Sequence, residues 1–166
     1  MIFATVGMNE YLFDRLIKKM DEIAGELDEE VLIQTGSSDY ECKNARYFKF
    51  ADDGEMSGHY DRCDVLVCQA GVGTIINGLK RNIPIVVVPR RMELNEVDTN
   101  HQFMIADELV KMGRGICVED VDNLKDAILK AKGMEFPPYQ QSQELVNFLS
   151  DTLSEVEERL NKRKKR

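Results

Sequence analysis

The sequence predicts an α/β domain built on a doubly wound, mostly parallel Rossmann-like sheet with helices on both faces. Three observations predict it. Short apolar runs at 2–6, 31–34, 64–68 and 83–88 lack the polar alternation of half-exposed strands, as expected where both sheet faces are covered. Stretches of helical periodicity lie between several of these runs. Glycines follow three of the runs closely, at Gly7, Gly36 and the pair Gly71 and Gly73.

The elements follow in order. Residues 2–6 (IFATV) read as the first strand, and Asn9 as the N-cap of a helix carrying Leu12, Phe13, Leu16, Ile17, Met20 and Ile23 at helical spacing. Residues 31–34 form a second strand, stopped by TGSS, and 47–50 a shorter third. A weak helix covers 55–62. The fourth strand spans 64–68 and the fifth 83–88, with a glycine loop and helix between them. Asp98, Thr99 and Asn100 form a capping cluster for a helix to Met112. A sixth strand covers 115–118, and Asp120 caps a helix to Lys130. Pro137 and Pro138 then break the chain before a final helix from about Gln140, its apolar stripe suited to the domain or to a partner. These elements divide the chain into a nucleotide-binding domain over 1–136 and a C-terminal helix with a basic tail over 137–166.

The alternation implies strand order 3-2-1-4-5-6, which sets strands one and four side by side at the switch point. The loops at Gly7 and at 69–74 (QAGVGT) then flank one crevice. Glycines there allow close backbone approach, and free amides at a helix start attract negative charge. Pro89, Arg90 and Arg91 end the fifth strand and place two guanidinium groups near the same edge. Together these features describe a pocket for a nucleotide diphosphate.

Composition narrows the alternatives. The net charge of −8 conceals a segregation: all 30 acidic residues precede Arg159, whereas six of the 22 basic residues lie between Arg159 and Arg166. An acidic body argues against nucleic acid as partner. The basic end (Lys162, Arg163, Lys164, Lys165, Arg166) suits either anionic lipid headgroups or a helix C-terminus. No apolar run reaches the roughly 20 residues that span a bilayer. Cys42, Cys63, Cys68 and Cys117 form no CxxC pair and read as reduced structural thiols, which predicts a cytoplasmic protein.

The motifs Thr5-Val6-Gly7, Gln34-Thr35-Gly36, residues 70–75 (AGVGTI), Val88-Pro89-Arg90 and His101-Gln102 resemble, in order and spacing, those of small proteins related to glycosyltransferase family 28. The likeness runs over about residues 1–118. Such proteins are similar to the donor-binding half of a two-domain GT-B enzyme, as in the C-terminal half of the lipid II-forming peptidoglycan transferase. The resemblance implies an inverting transferase subunit using UDP-N-acetylglucosamine, or UDP-galactose or UDP-glucose, on a polyprenyl-linked saccharide. It also implies a second, membrane-anchored chain that holds the acceptor and supplies the base. This chain would then be peripheral at the cytoplasmic face and inactive alone. A homodimer is the alternative state when the partner is missing. No cofactor or metal is implied, because the UDP-sugar enters as substrate.

Carried over residue by residue, Gly7, Met8 and Asn9 lie by the diphosphate, and Gly71, Val72, Gly73 and Thr74 supply amides and a hydroxyl to it. Asn77 faces the ribose, His101 and Gln102 the donor sugar, and Arg90 either holds its loop or neutralises phosphate. Relatives commonly carry histidine at the position of Asn9, serine-histidine at Cys68-Gln69 and glutamate at Asn77. An amide oxygen replaces only part of a carboxylate's grip on a diol. These departures motivate the alternative of a non-catalytic nucleotide-sugar-binding or regulatory protein. Asp52, Asp53 and Glu55 read as a solvated acidic loop rather than a cation site, and His59 as exposed without a role. The loop from Arg90 to Asp98 reads equally as a lid or as plain surface.

Overall fold

The computed structural model describes residues 1–99 and 101–135. The apolar runs become strands β1 (Ile2–Thr5), β2 (Val31–Gln34), β4 (Val65–Cys68) and β5 (Ile85–Val87), all fully buried. Shorter strands β3 (Arg46–Phe48) and β6 (Gly115–Cys117) close the two edges. The six strands pair in parallel in the order β3-β2-β1-β4-β5-β6. Ile2 stands opposite both Val31 and Val65, so the first-made strand lies inside the sheet at the switch point. The expected architecture is therefore the observed one.

Alternate strand residues feed two apolar layers. Ile2, Ala4, Val65, Val67 and Val86 face helix α1 (Asp14–Glu26) and helix α5 (Leu124–Lys132). Phe3, Leu66, Cys68, Ile85 and Val87 face α2 (Asp53–Arg62), α3 (Val72–Lys80) and α4 (His101–Lys111). No helix among the described residues is long and apolar enough to cross a membrane.

Several boundaries differ from the sequence expectation, each for a local reason. Asn9 does not cap α1: the helix begins at Asp14, and the Asn9 side chain accepts from the Tyr11 amide in a tight Asx turn. Leu12 consequently lies in the preceding loop and is half exposed. The acidic stretch 52–55 is the start of α2: Asp52 accepts from the Glu55 amide and Glu55 reaches back to the Asp52 amide, a complete capping box. Asp120 caps a short 3-10 turn (Val121–Asn123) and not α5 itself. His59 is half-buried, with its ring 4.9 Å from Phe48 and 5.4 Å from Phe3. All four thiols are free, Cys63 and Cys68 buried, and burial pushes the Cys63 thiol up to about 12. The expected Pro137-Pro138 break, final helix, basic tail and 136/137 boundary lie outside the described residues, as does Asn100 of the capping cluster.

Candidate functional site

A cleft of about 630 Å³ opens at the carboxyl ends of the strands, between the loop after β1 and helices α2 and α3. Thr5, Gly7, Met8, Gln34, Gln69, Gly71, Gly73, Thr74 and Asn77 line it on the sheet and α3 side. Phe50, Ala51, Asp53, Met56, Ser57 and Tyr60 close the other wall. Six of the eleven expected site residues (Gly7, Met8, Gly71, Gly73, Thr74, Asn77) thus meet in one place. Asn9, Val72, Arg90, His101 and Gln102 do not line it.

The first loop is held shut from below. Gly7 has φ +75°, which favours glycine, and a Cβ there would stand 2.3 Å from Gln69 Nε2, so any other residue would also displace the Gln69 amide. Its amide donates to Gln34 Oε1 (3.1 Å), while Gln34 Nε2 donates to the carbonyls of Gly7 and Lys49 (3.0 Å each). Gln34 is thereby a buried tie between the loops after β1 and β3, and Thr5 Oγ1 donates to its carbonyl oxygen at 2.5 Å.

The second loop is open. Gly71 starts α3 without any side-chain cap, so the first amides of the helix have no partner within it. Those amides, with the aligned helix dipole, make the loop's mouth electropositive. A Cβ on Gly73 would meet nothing within 4 Å, which places that residue on the open cleft. Thr74 is hydrogen-bonded to Tyr60, whose phenol burial pushes above its ordinary pKa. No basic side chain is among the described lining residues, and Asp53 is the one carboxylate there.

Arg90 holds its loop; it does not face the cleft. Its guanidinium is fully buried and donates to the carbonyls of Val6 (2.9 Å), Tyr11 (2.8 Å), Leu12 (3.1 Å) and Glu96 (3.0 Å), and through Nε to Gln69 Oε1. It also lies 4.6 Å over the Phe13 ring. Burial lowers its pKa to about 10, against the pull of Glu96, so it stays charged at neutral pH. Five acceptors engage this cation, so it has little left to offer a phosphate. The loop beyond it is anchored as well: Glu96 is buried, takes a two-pronged pair from Arg15 (3.0 and 2.9 Å), and accepts from the Arg91 amide. These contacts tie down the end of the loop at Glu96, while Met92 and Leu94 in its middle are exposed.

The family model for the glycosyltransferase family 28 C-terminal domain matches residues 1–157. The chain belongs to this family. A yeast relative, the UDP-N-acetylglucosamine transferase subunit ALG13 of Debaryomyces hansenii, is 30% identical over 114 residues, covering 66% of this chain and 51% of that protein. A Francisella philomiragia transferase, UDP-N-acetylglucosamine--N-acetylmuramyl-(pentapeptide) pyrophosphoryl-undecaprenol N-acetylglucosamine transferase, is 29% identical over 96 residues, 47% of this chain and 25% of that one. The chain therefore spans about half of the first relative and a quarter of the second. Among solved structures, the Streptomyces sp. SF2575 glycosyltransferase SsfS6 with thymidine diphosphate superposes with TM-score 0.56 at 22% identity, over 81% of this chain and 33% of that one. The kitacinnamycin glycotransferase does so with TM-score 0.62 at 20% identity, over 81% and 35%. These likenesses establish the Rossmann-like half of a glycosyltransferase fold.

In this family-28 domain the pair expected at the donor sugar sits beyond Arg90. His101 opens α4, and Gln102 Oε1 accepts from the Arg90 amide at 2.9 Å. Sequence reading named Gln34 in a family motif and Gln69 in the crevice loop without giving either a role, and it assigned Phe50 and Asp53 no place in the site. Phe50, read as the end of the third strand, lies just beyond it, and its side chain is exposed on the cleft wall.

Proposed function

We propose that this domain is the donor-binding subunit of an inverting UDP-sugar glycosyltransferase acting on a lipid-linked saccharide. The observation that carries the reading is the uncapped start of α3, opening on a cleft wide enough for a nucleotide and walled by the exposed Phe50 ring. The diphosphate would sit on the α3 amides, and the base against Phe50. In transfer, an acceptor hydroxyl oxygen attacks the anomeric carbon, the bond from that carbon to the β-phosphate oxygen breaks, and UDP leaves with the electron pair. Amides preorganised at the diphosphate stabilise that departing charge. The hydroxyl proton goes to a general base, which this reading assigns to a second chain at the membrane. UDP-N-acetylglucosamine is the favoured donor, because both curated relatives are named for its transfer.

Calorimetric titration with UDP, UDP-N-acetylglucosamine and UDP-galactose, with ADP as control, tests the reading. It expects UDP-selective binding that Gly73→Val abolishes; equal binding of ADP, or none of UDP, overturns it. A second reading, a nucleotide-sugar binder without catalysis, is favoured by Asn77, whose amide is engaged by Arg81 and by the Gly73 carbonyl. Binding without sugar transfer in the presence of a co-purified acceptor chain would select it.

A further inference from the structure

We infer that Asp53 is the group that grips the ribose hydroxyls of the nucleotide, making it the residue by which this site prefers ribo- to 2′-deoxyribonucleotides. The inference rests on the nucleotide-sugar reading above and names the specificity device within that cleft.

Helix α2 presents Asp53, Met56, Ser57 and Tyr60 to the cleft, the spacing of one helical face. Opposite them α3 presents Gly73, Thr74 and Asn77. A single cation clamps the two helices: Arg81 donates to Asn77 Oδ1 (2.9 Å), Ser57 Oγ (2.7 Å) and Asp61 (2.6 Å), and lies 5.5 Å over the Tyr60 ring. Asn77 Nδ2 donates in turn to the Gly73 carbonyl at 3.0 Å. The acceptor oxygen of Asn77 therefore already holds a charged donor, and Ser57 Oγ accepts from the same guanidinium. Tyr60 and Thr74 engage each other.

A vicinal diol brings two O–H donors and needs acceptors for both. An ionised carboxylate takes both at once, and more strongly than a neutral oxygen. Asp53 is the one carboxylate among the described lining residues, and it lies one turn from the clamped Ser57. Its carboxylate makes no hydrogen bond or ion pair with the described residues. The position also suits the ligand. Phosphates at the α3 start and a base against Phe50 put the ribose between them, beside the first turn of α2. An acidic residue in a helix's first turn also suits the dipole, so a purely structural role is the competing account.

Titrating the full chain with UDP and with 2′-deoxy-UDP separates the two accounts. The wild-type chain is expected to bind UDP about tenfold tighter, the worth of one charge-assisted hydrogen bond. Asp53→Ala should weaken UDP, which loses two contacts, about tenfold more than 2′-deoxy-UDP, which loses only the 3′-hydroxyl contact, so that the ratio of the two affinities falls to about one. Asp53→Asn, which keeps the size and one acceptor oxygen, should fall between. A structural role would lower both nucleotides together and leave their ratio unmoved. That result, or a wild-type chain that binds the two nucleotides equally, overturns the assignment to Asp53 and leaves the nucleotide-sugar reading standing. Absence of UDP binding to the wild-type chain removes that reading, and this inference with it.

Discussion

Arg90 and Asp21 are both buried ions satisfied mainly by backbone, one by carbonyls and the other by amides. Arg90 draws in the carbonyls of Val6, Tyr11, Leu12 and Glu96. Asp21, on α1, accepts from the amides of Lys43 (2.9 Å), Asn44 (2.8 Å) and Ala45 (2.9 Å) and from the Tyr40 hydroxyl (3.0 Å). Each answers the cost of burying a charge with nearly complete coordination. Their reach differs. Apart from the Glu96 carbonyl, the Arg90 ties end on residues that flank the first glycine loop and on Gln69, whose amide sits against Gly7 and lines the cleft. The Asp21 ties end on the lead-in to β3 and touch no cleft residue. Equal satisfaction therefore carries unequal consequence, and a third feature completes the lesson: the α3 amides, left without helix partners, are where binding is expected.

The sharpest way to break the comparison is Arg90→Met. It leaves several buried carbonyls unpaired and should cost about 3–5 kcal/mol in chemical denaturation, with loss of nucleotide binding. Arg90→Lys should recover little, since an ammonium lacks the planar fork that reaches five acceptors. Asp21→Asn should cost less, about 1–3 kcal/mol, and leave UDP affinity within about twofold in the same titration. If Asp21→Asn abolished binding instead, the division between the two ions would be wrong.

Acid titration sharpens the same contrast. Burial alone would raise the Asp21 pKa, but the Lys43, Ala45 and Asn44 amides and the Tyr40 hydroxyl outweigh it and hold the carboxyl below its ordinary value. The folded chain thus binds this proton less readily than the unfolded chain. The stabilisation is full above the unfolded value of about 3.9 and is lost as pH falls through the depressed folded value. Denaturation midpoints measured from pH 6 downward should fall less steeply in Asp21→Asn than in the wild-type chain. The smallest stability effect is expected from Gly73→Val, under about 1 kcal/mol, because the new side chain enters open space. Its effect on binding should nevertheless be complete, which calorimetry and a thermal melt on one preparation would show.

The parts legible in the sequence were those carried by local pattern. Apolar runs such as 64–68 and 83–88 declared buried strands, and Gly7, Gly71 and Gly73 declared where they end. The strand order followed from the alternation. What was not legible depends on contacts between distant polar residues. Nothing near Arg90 indicates that its guanidinium will meet Val6, and nothing near Gln34 that it will bind Gly7. Asn9 was misread because an Asx turn and a helix N-cap use the same residue types, and only the path of the following loop separates them. Asp53 is exposed, as an acidic surface stretch implies, but it opens α2 rather than a loop, because Asp52 and Glu55 pair in a capping box.

The sequence separation of 84 residues between Val6 and Arg90 bears on when the site comes into being during synthesis. The first strand leaves the ribosome early, yet the cation that shapes the loop after it is translated only after β5. A chain ending before residue 90 can pair β1 with β2 and β4, which brings Gly7 near Gln69, but it lacks the guanidinium that ties Gln69 to the Val6 carbonyl. The ties around the first glycine loop are thus complete only once the fifth strand has joined the sheet and Arg90 beyond it is in place.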